Sequence, residues 1–191
     1  PEAEETLYHA AADVLLTLGR NAPPAGLPPL DASGMARLAA LAWTWYAPGI
    51  FDPQINGYAG IDFQKDGLET QDLKKAASGL FEDGCPCWLL TLITDDWEKL
   101  INRLRHLKAL RDADEVLRQV IVGWHIEGPF LSPEPGFCGA HDPTVMRDAM
   151  MEDIDQLREA LGDDPILLTV APEREGAMAA IARAVGLGMR V

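Results

Sequence analysis

The stretch Val120-Ile121-Val122-Gly123-Trp124-His125-Ile126-Glu127-Gly128-Pro129 decides the fold, because an apolar, β-branched run ends there in a carboxylate and a Gly-Pro break. Such a run is typical of a buried β-strand, and the break ends the strand directly after Glu127. In α/β proteins, functional groups concentrate at the carboxyl ends of parallel strands. Glu127 is therefore either a site carboxylate or a solvated residue in a turn, and the stretch alone leaves both open.

Strand-like and helix-like segments alternate on both sides of this stretch. Short apolar runs predict β-strands within residues 47–57, 88–94, 120–126 and 166–170. Apolar residues at helical spacing predict helices whose buried faces lie within 73–81, 100–107, 151–161 and 177–185. Thr70 and Asp95 or Asp96 are predicted N-caps, and Gly162 is a predicted stop. Residues 189–191 look like the start of a further strand, so the alternation predicts a parallel sheet with right-handed crossovers.

Two closures of such a sheet are possible, an open doubly wound sheet or part of an eight-stranded barrel. No G-x-G-x-x-G or Walker sequence follows the first strand, which disfavours a nucleotide-binding sheet. The predicted fold class is α/β, a partial (β/α)8 TIM-type barrel over residues 47–191 with about four strands and the start of a fifth. Residues 1–46 form an atypical N-terminal segment, predicted to be helical with a Pro- and Gly-rich linker.

The composition excludes several classes of partner. The chain has 191 residues, of which 48% are hydrophobic, and its formal net charge of −14 argues against nucleic acid and anionic membranes. No apolar run reaches the ~18 residues that cross a bilayer, and no signal peptide is visible. Three cysteines indicate a reducing cytoplasm. Cys85-Pro86-Cys87 is interpreted as small residues opening a strand rather than as a metal site, because its spacing is too short for paired zinc thiolates.

Polar residues follow the four predicted strands. In a barrel, these strand ends meet on the face that holds the active site. A hard or borderline divalent cation would accept the carboxylate of Glu127 and, less readily, amide oxygens. His125 is interpreted as a hydrogen-bonded core group beneath the site rather than as a ligand. The strand-end residues, in chain order, are Gln54 and Asn56, Thr91 and Thr94, His125 and Glu127, and Thr169 and Glu173.

The segment 131–146 is long for a β-α connection, and loops of this length are usually functional or disordered. Its glycines, including Gly136 and Gly139, let the backbone approach a ligand closely. His141 is either a surface residue or a donor to a substrate hydroxyl, and the loop alone favours the surface interpretation.

Four segments together carry a resemblance to a known family: PGIFDPQING at 48–57, HIEGPF at 125–130, GAH at 139–141 and LTVAPE at 168–173. In this order they resemble the N-acetylglucosamine-6-phosphate deacetylases of the amidohydrolase superfamily. The resemblance implies a distorted (β/α)8 barrel and hydrolysis of the acetamide of N-acetylglucosamine 6-phosphate to glucosamine 6-phosphate and acetate. It also implies a divalent metal cation as cofactor, zinc or iron, and a small amino-sugar phosphate as the partner molecule.

The resemblance also implies roles for individual residues. Glu127 matches the metal ligand at the third strand of the family. Ala140, through its backbone, and His141 match substrate contacts. Gln54 and Asn56 match a Gln-x-Asn pair that replaces the His-x-His of most amidohydrolases at the first strand, so one of the two metal positions is expected to be weak or empty.

The resemblance further implies that this chain is the N-terminal part of such an enzyme. The two metal-binding histidines and the catalytic aspartate of the family would follow Val191, so no catalytic residue is expected within the chain and the chain alone is expected to be inactive. For the full-length enzyme, a cytoplasmic homo-oligomer is expected. The alternatives are a non-enzymatic chain with an interaction or regulatory role, or a related amidohydrolase acting on another acylated sugar.

Overall fold

A computed structural model of the protein describes residues 50–191. The helices and linker expected within residues 1–46 lie outside this range. The strands of the described part are β1 (Phe51–Ile55), β2 (Gly57–Tyr58), β3 (Ile61–Asp62), β4 (Cys87–Ile93), β5 (Ile121–Glu127) and β6 (Ile166–Thr169). The helices are α1 (Thr70–Glu82), α2 (Trp97–Asp112), α3 (Glu115–Val120), α4 (Met151–Leu161) and α5 (Ala177–Gly186). None of these helices has the length and apolar character needed to span a bilayer.

Four strands form one parallel sheet in the order β1-β4-β5-β6. In its register, Thr91 pairs with His125, and Ile93 pairs with Glu127. Beyond β6, Arg190 makes a parallel β-bridge to Leu167. This bridge agrees with the expectation that residues 189–191 start a further strand beside β6. The prediction of an α/β chain with a parallel sheet is therefore confirmed.

Alternate side chains of the sheet face the helices. The strand residues Trp88, Leu90, Trp124 and Ile126 are buried in one core with apolar residues of the helices. Full burial of each such side chain contributes about 1.5–3 kcal/mol, so this layer holds the helices against the sheet. The helix residues of the core include Leu73, Leu80, Leu100, Leu104, Ile154, Leu157 and Ala180.

The helix starts agree with the predictions except at α1. Asp96 caps α2, because its carboxylate accepts a hydrogen bond from the Lys99 amide at 3.1 Å. Thr70, the predicted cap of α1, is instead its first helical residue. Glu69, one position earlier, is the N-cap residue. Its backbone amide donates to the carboxylate of Asp72, in the first turn of the helix, at 2.8 Å.

Two small elements were not predicted from the sequence. The six-residue helix α3 is too short to show an apolar period, and the Asp114 carboxylate starts it by accepting the amides of Val116 and Leu117. The hairpin β2–β3 depends on Gly57, since a Cβ there would lie 2.3 Å from the Ile61 carbonyl oxygen.

Candidate active site at the strand ends

Glu127, the last residue of β5, lies at the centre of a cluster of polar side chains. The Asn56 amide Nδ2 lies 3.5 Å from its Oε2, at the limit of a hydrogen bond. The His141 Nε2 lies 3.7 Å from its Oε1. Because Asn56 follows β1 and His141 belongs to the loop after β5, the structure gathers residues from distant parts of the chain around one carboxylate, as the strand-end argument predicts.

His141 is not a surface residue, so that interpretation of the loop is wrong. Only 14% of its side chain is exposed, and its Nδ1 lies 2.9 Å from the Thr94 hydroxyl. Thr94 follows β4 and is itself buried. The sequence placed Thr94 at a strand end but offered no signal that it contacts His141.

The loop that carries Ala140 and His141 is anchored at its base. The Arg147 amide donates to the Pro129 carbonyl at 3.1 Å. The Arg174 guanidinium donates to the Leu131 carbonyl at 2.5 Å and to the Asp148 carboxylate at 2.6 Å. These bonds join both ends of the loop to each other and to the segment after β6, which limits the positions that His141 can reach.

His125 lies beneath the cluster and has the environment predicted for a core histidine. It is 5% exposed, and its Nε2 lies 2.9 Å from the Thr169 hydroxyl. Its Nδ1 has no hydrogen-bond partner among residues 50–191. Burial lowers the pKa of His125, and the opposing effect of the Glu127 charge is smaller. The ring is therefore neutral at pH 7.

Some predicted site residues do not join the cluster. Gln54 is exposed, and its backbone amide donates to the Asp52 carboxylate at 2.8 Å. Ala140 is exposed on the loop, and Glu173 is exposed after β6. Of the predicted first-strand pair, only Asn56 lies against Glu127.

The side chains around Glu127 fit part of a divalent cation site. A carboxylate, an imidazole and an amide are donor types that such cations accept. Within residues 50–191, however, no group of three or more His, Cys, Asp or Glu side chains is placed to hold a metal ion. The described residues therefore offer one charged ligand, Glu127, and no complete coordination shell.

A parallel α/β sheet with a carboxylate and an imidazole at its strand ends is the arrangement that α/β enzymes use. No family model matches the chain. N-acetylglucosamine-6-phosphate deacetylase of Danio rerio is 32% identical over 151 residues, 76% of this chain and 36% of that protein. N-acetylgalactosamine-6-phosphate deacetylase of Escherichia coli O157:H7 is 29% identical over 157 residues, 82% of this chain and 39% of that protein.

Solved structures give the same result. A mutant N-acetyl-D-glucosamine-6-phosphate deacetylase from Mycobacterium smegmatis, in complex with N-acetyl-D-glucosamine-6-phosphate, matches with a TM-score of 0.64 and 32% identity. The match covers 74% of this chain and 35% of that one. The chain therefore spans between about a third and two fifths of the length of these relatives. Over the matched stretch, the chain is similar to N-acetylglucosamine-6-phosphate deacetylases, which confirms the resemblance found in the motifs.

Proposed function

We propose that this chain contributes the metal-binding carboxylate and part of the substrate site to an enzyme that hydrolyses the acetamide of N-acetylglucosamine 6-phosphate. The products are glucosamine 6-phosphate and acetate. One observation carries the proposal: Asn56, Glu127 and His141 converge in a chain whose relatives include deacetylases of this substrate. The chain by itself contributes no catalytic residue in this proposal.

We also propose that the sheet belongs to a (β/α)8 barrel. Each parallel strand lies beside the previous parallel strand, in the order β1-β4-β5-β6, and Arg190 continues the series beyond β6. A barrel adds its strands in this sequential order, whereas a doubly wound sheet reverses direction at a switch point. In this proposal residues 47–191 form the first part of the barrel and residues 1–46 a separate N-terminal segment.

Within the site, Glu127 would hold a divalent cation, zinc or iron, and Asn56 would orient the carboxylate through its Nδ2. The cation supplies polarisation of a carbonyl group or activation of a water molecule. The backbone of Ala140 and the ring of His141 bind and orient the amino sugar. His125, neutral and bonded to Thr169, supports the strand end beneath Glu127.

Two observations favour other functions. The Escherichia coli relative is an N-acetylgalactosamine-6-phosphate deacetylase, so a different acylated hexosamine phosphate is a second candidate substrate. The incomplete set of metal ligands within residues 50–191 favours a non-enzymatic interaction or regulatory role for the chain on its own. For the whole enzyme we propose a cytoplasmic homo-oligomer.

An acetate-release assay tests the proposed function. The 191-residue chain and a form extended by the downstream in-frame codons are each incubated with zinc or iron and with N-acetylglucosamine 6-phosphate or the galactosamine isomer. The proposal expects release only by the extended form, faster on the glucosamine substrate. An in-frame stop directly after Val191 favours the non-enzymatic role. An extended form that is inactive on both sugars would remove the proposed activity.

A further inference from the structure

We propose that Thr94 is a positioning residue for His141: by donating to Nδ1, its hydroxyl holds Nε2 towards Glu127 and the sugar and, together with the Glu127 carboxylate, keeps the imidazole proton on Nε2. The inference rests on the proposed function in so far as it treats His141 as a substrate contact. Its structural basis is the geometry at the ends of β4 and β5.

The Thr94 hydroxyl joins the loop to the sheet. Thr94 is 8% exposed, and its Oγ1 lies 2.9 Å from the His141 Nδ1. The same oxygen lies 3.5 Å from the backbone carbonyl of Glu127. A hydroxyl carries one proton, so it can donate to only one of these two acceptors at a time. The shorter contact, to Nδ1, is the better hydrogen bond.

The charge beside the ring decides the direction of that bond. The other ring nitrogen, Nε2, lies 3.7 Å from the Glu127 carboxylate. A carboxylate favours a proton on the ring nitrogen that faces it, and a neutral imidazole then has an acceptor at its other nitrogen. Thr94 therefore donates to Nδ1, and His141 presents an N–H at Nε2 towards Glu127. With Nδ1 occupied, Nε2 is the atom left to contact the substrate.

The lack of a side chain at Gly128 leaves space for the Thr94 hydroxyl. A Cβ on Gly128 would lie 2.1 Å from the Thr94 Oγ1 and 3.2 Å from its Cβ. The φ of Gly128 is +104°, a conformation that favours glycine. A glycine directly after Glu127 is therefore compatible with the Thr94 hydroxyl in its contact with His141, and a residue with a side chain is not.

The tautomer of His141 can be measured directly by long-range ¹H–¹⁵N NMR. The experiment uses the whole 191-residue chain without added metal, at a pH high enough for neutral imidazoles. It runs in solution, or in the solid state if the chain self-associates. The chain has four histidines, and His141→Gln identifies the signals of His141. We expect the proton on Nε2 and an unprotonated Nδ1 in the wild type, and the same pattern in Thr94→Ser, which keeps the hydroxyl.

Thr94→Val keeps the shape of the side chain but removes the hydroxyl, so we expect the two ¹⁵N shifts of His141 to move towards each other as both tautomers become populated. Thr94→Ala serves if the valine variant does not fold, as judged by circular dichroism. A wild-type proton on Nδ1, or wild-type shifts in a folded Thr94→Val or Thr94→Ala variant, would overturn the proposal. The NMR experiment does not depend on turnover. If the extended enzyme releases no acetate, the proposed function is refuted, but the measured tautomer of His141 is unaffected.

Discussion

The Nε2 atom of His141 lies 3.7 Å from the Oε1 atom of Glu127, across the gap between a loop and a strand end. That distance is too long for a direct hydrogen bond, and Asn56 reaches the other carboxylate oxygen only at 3.5 Å. No Lys or Arg of residues 50–191 forms an ion pair with Glu127. The carboxylate is thus flanked by polar groups but has no Lys or Arg partner within residues 50–191, so its charge is available to a bound cation.

The first prediction concerns the charge of Glu127. In a catalytically active form of the protein, we expect Glu127→Gln to lower bound metal and acetate release together, each by at least about tenfold. A neutral amide is a weak ligand for a divalent cation. Mutation of a residue that only hydrogen-bonds to a metal ligand already lowers metal affinity or activity by about 10–100-fold. Metal content is measured by mass spectrometry after dialysis. The matched control is Glu173→Gln, which makes the same change at an exposed position after β6. Unchanged metal occupancy in Glu127→Gln would make Glu127 a structural residue.

A second prediction concerns the outer strand β1. Ile50 and Phe51 are 63% and 52% exposed at this edge of the described sheet, and exposed apolar edges promote association between chains. We expect light scattering to show concentration-dependent self-association of the 191-residue chain, reduced in Phe51→Lys. Phe81→Lys is the control, because Phe81 is 66% exposed but lies on α1. A monodisperse monomer that melts cooperatively would contradict the expectation.

The sheet was predictable because its signals are local. The apolar run predicted as a strand over 88–94 forms β4 at Cys87–Ile93, and the run over 120–126 forms β5 at Ile121–Glu127. Burial on both faces requires a continuous apolar run, and such a run is visible in any single sequence. The same signal placed Glu127 at a strand end, since it directly precedes the Gly-Pro break, and left open whether it belongs to a site.

The contacts within the site were not predictable from the sequence. His141 and Thr94 are 47 residues apart, and their hydrogen bond depends on how the loop folds back over the strand ends. The contact between Asn56 and Glu127 depends on the pairing of β1 and β5 with β4. Gln54 was predicted as a strand-end residue together with Asn56, but only Asn56 lies in the cluster.

A third prediction concerns Asp164, on the loop before β6. Its Oδ2 accepts hydrogen bonds from the Arg111 Nη2 at 2.6 Å and from the Trp124 Nε1 at 3.0 Å. Burial raises the pKa of Asp164, but the bonds and charge of Arg111, with Trp124 and Lys108, outweigh it and lower the pKa below its ordinary value. The stabilisation is therefore fully present above the unfolded value of about 3.9 and is lost as the pH falls through the lower folded value.

We expect Asp164→Asn to lower the free energy of unfolding by about 1–3 kcal/mol at pH 7, because the charge-assisted bond to buried Arg111 is lost. This deficit should begin to shrink below about pH 4, where the carboxyl of the unfolded wild-type chain takes up a proton, and should disappear below the lowered pKa of the folded state. Urea denaturation at pH 7 and at about pH 3.5 measures both values. Asp155→Asn is the control: its pair with Arg183 is about half exposed, so its effect should be much smaller. Equal deficits at the two pH values would rule out this account of Asp164.

The last prediction compares two glycines. A Cβ on Gly123, within β5, would lie 2.7 Å from the Pro165 carbonyl oxygen and 2.9 Å from the Leu89 Cδ2. Gly123→Ala should therefore lower the free energy of unfolding by about 1–3 kcal/mol, because backbone and core atoms have to move. A Cβ on Gly186, the last residue of α5, meets nothing within 4 Å. Gly186→Ala should be neutral or stabilise by up to about 1 kcal/mol, since alanine is the better helix former. Urea denaturation should show a loss of stability for Gly123→Ala and none for Gly186→Ala. An unchanged stability in Gly123→Ala would show that β5 does not pack this closely against Pro165.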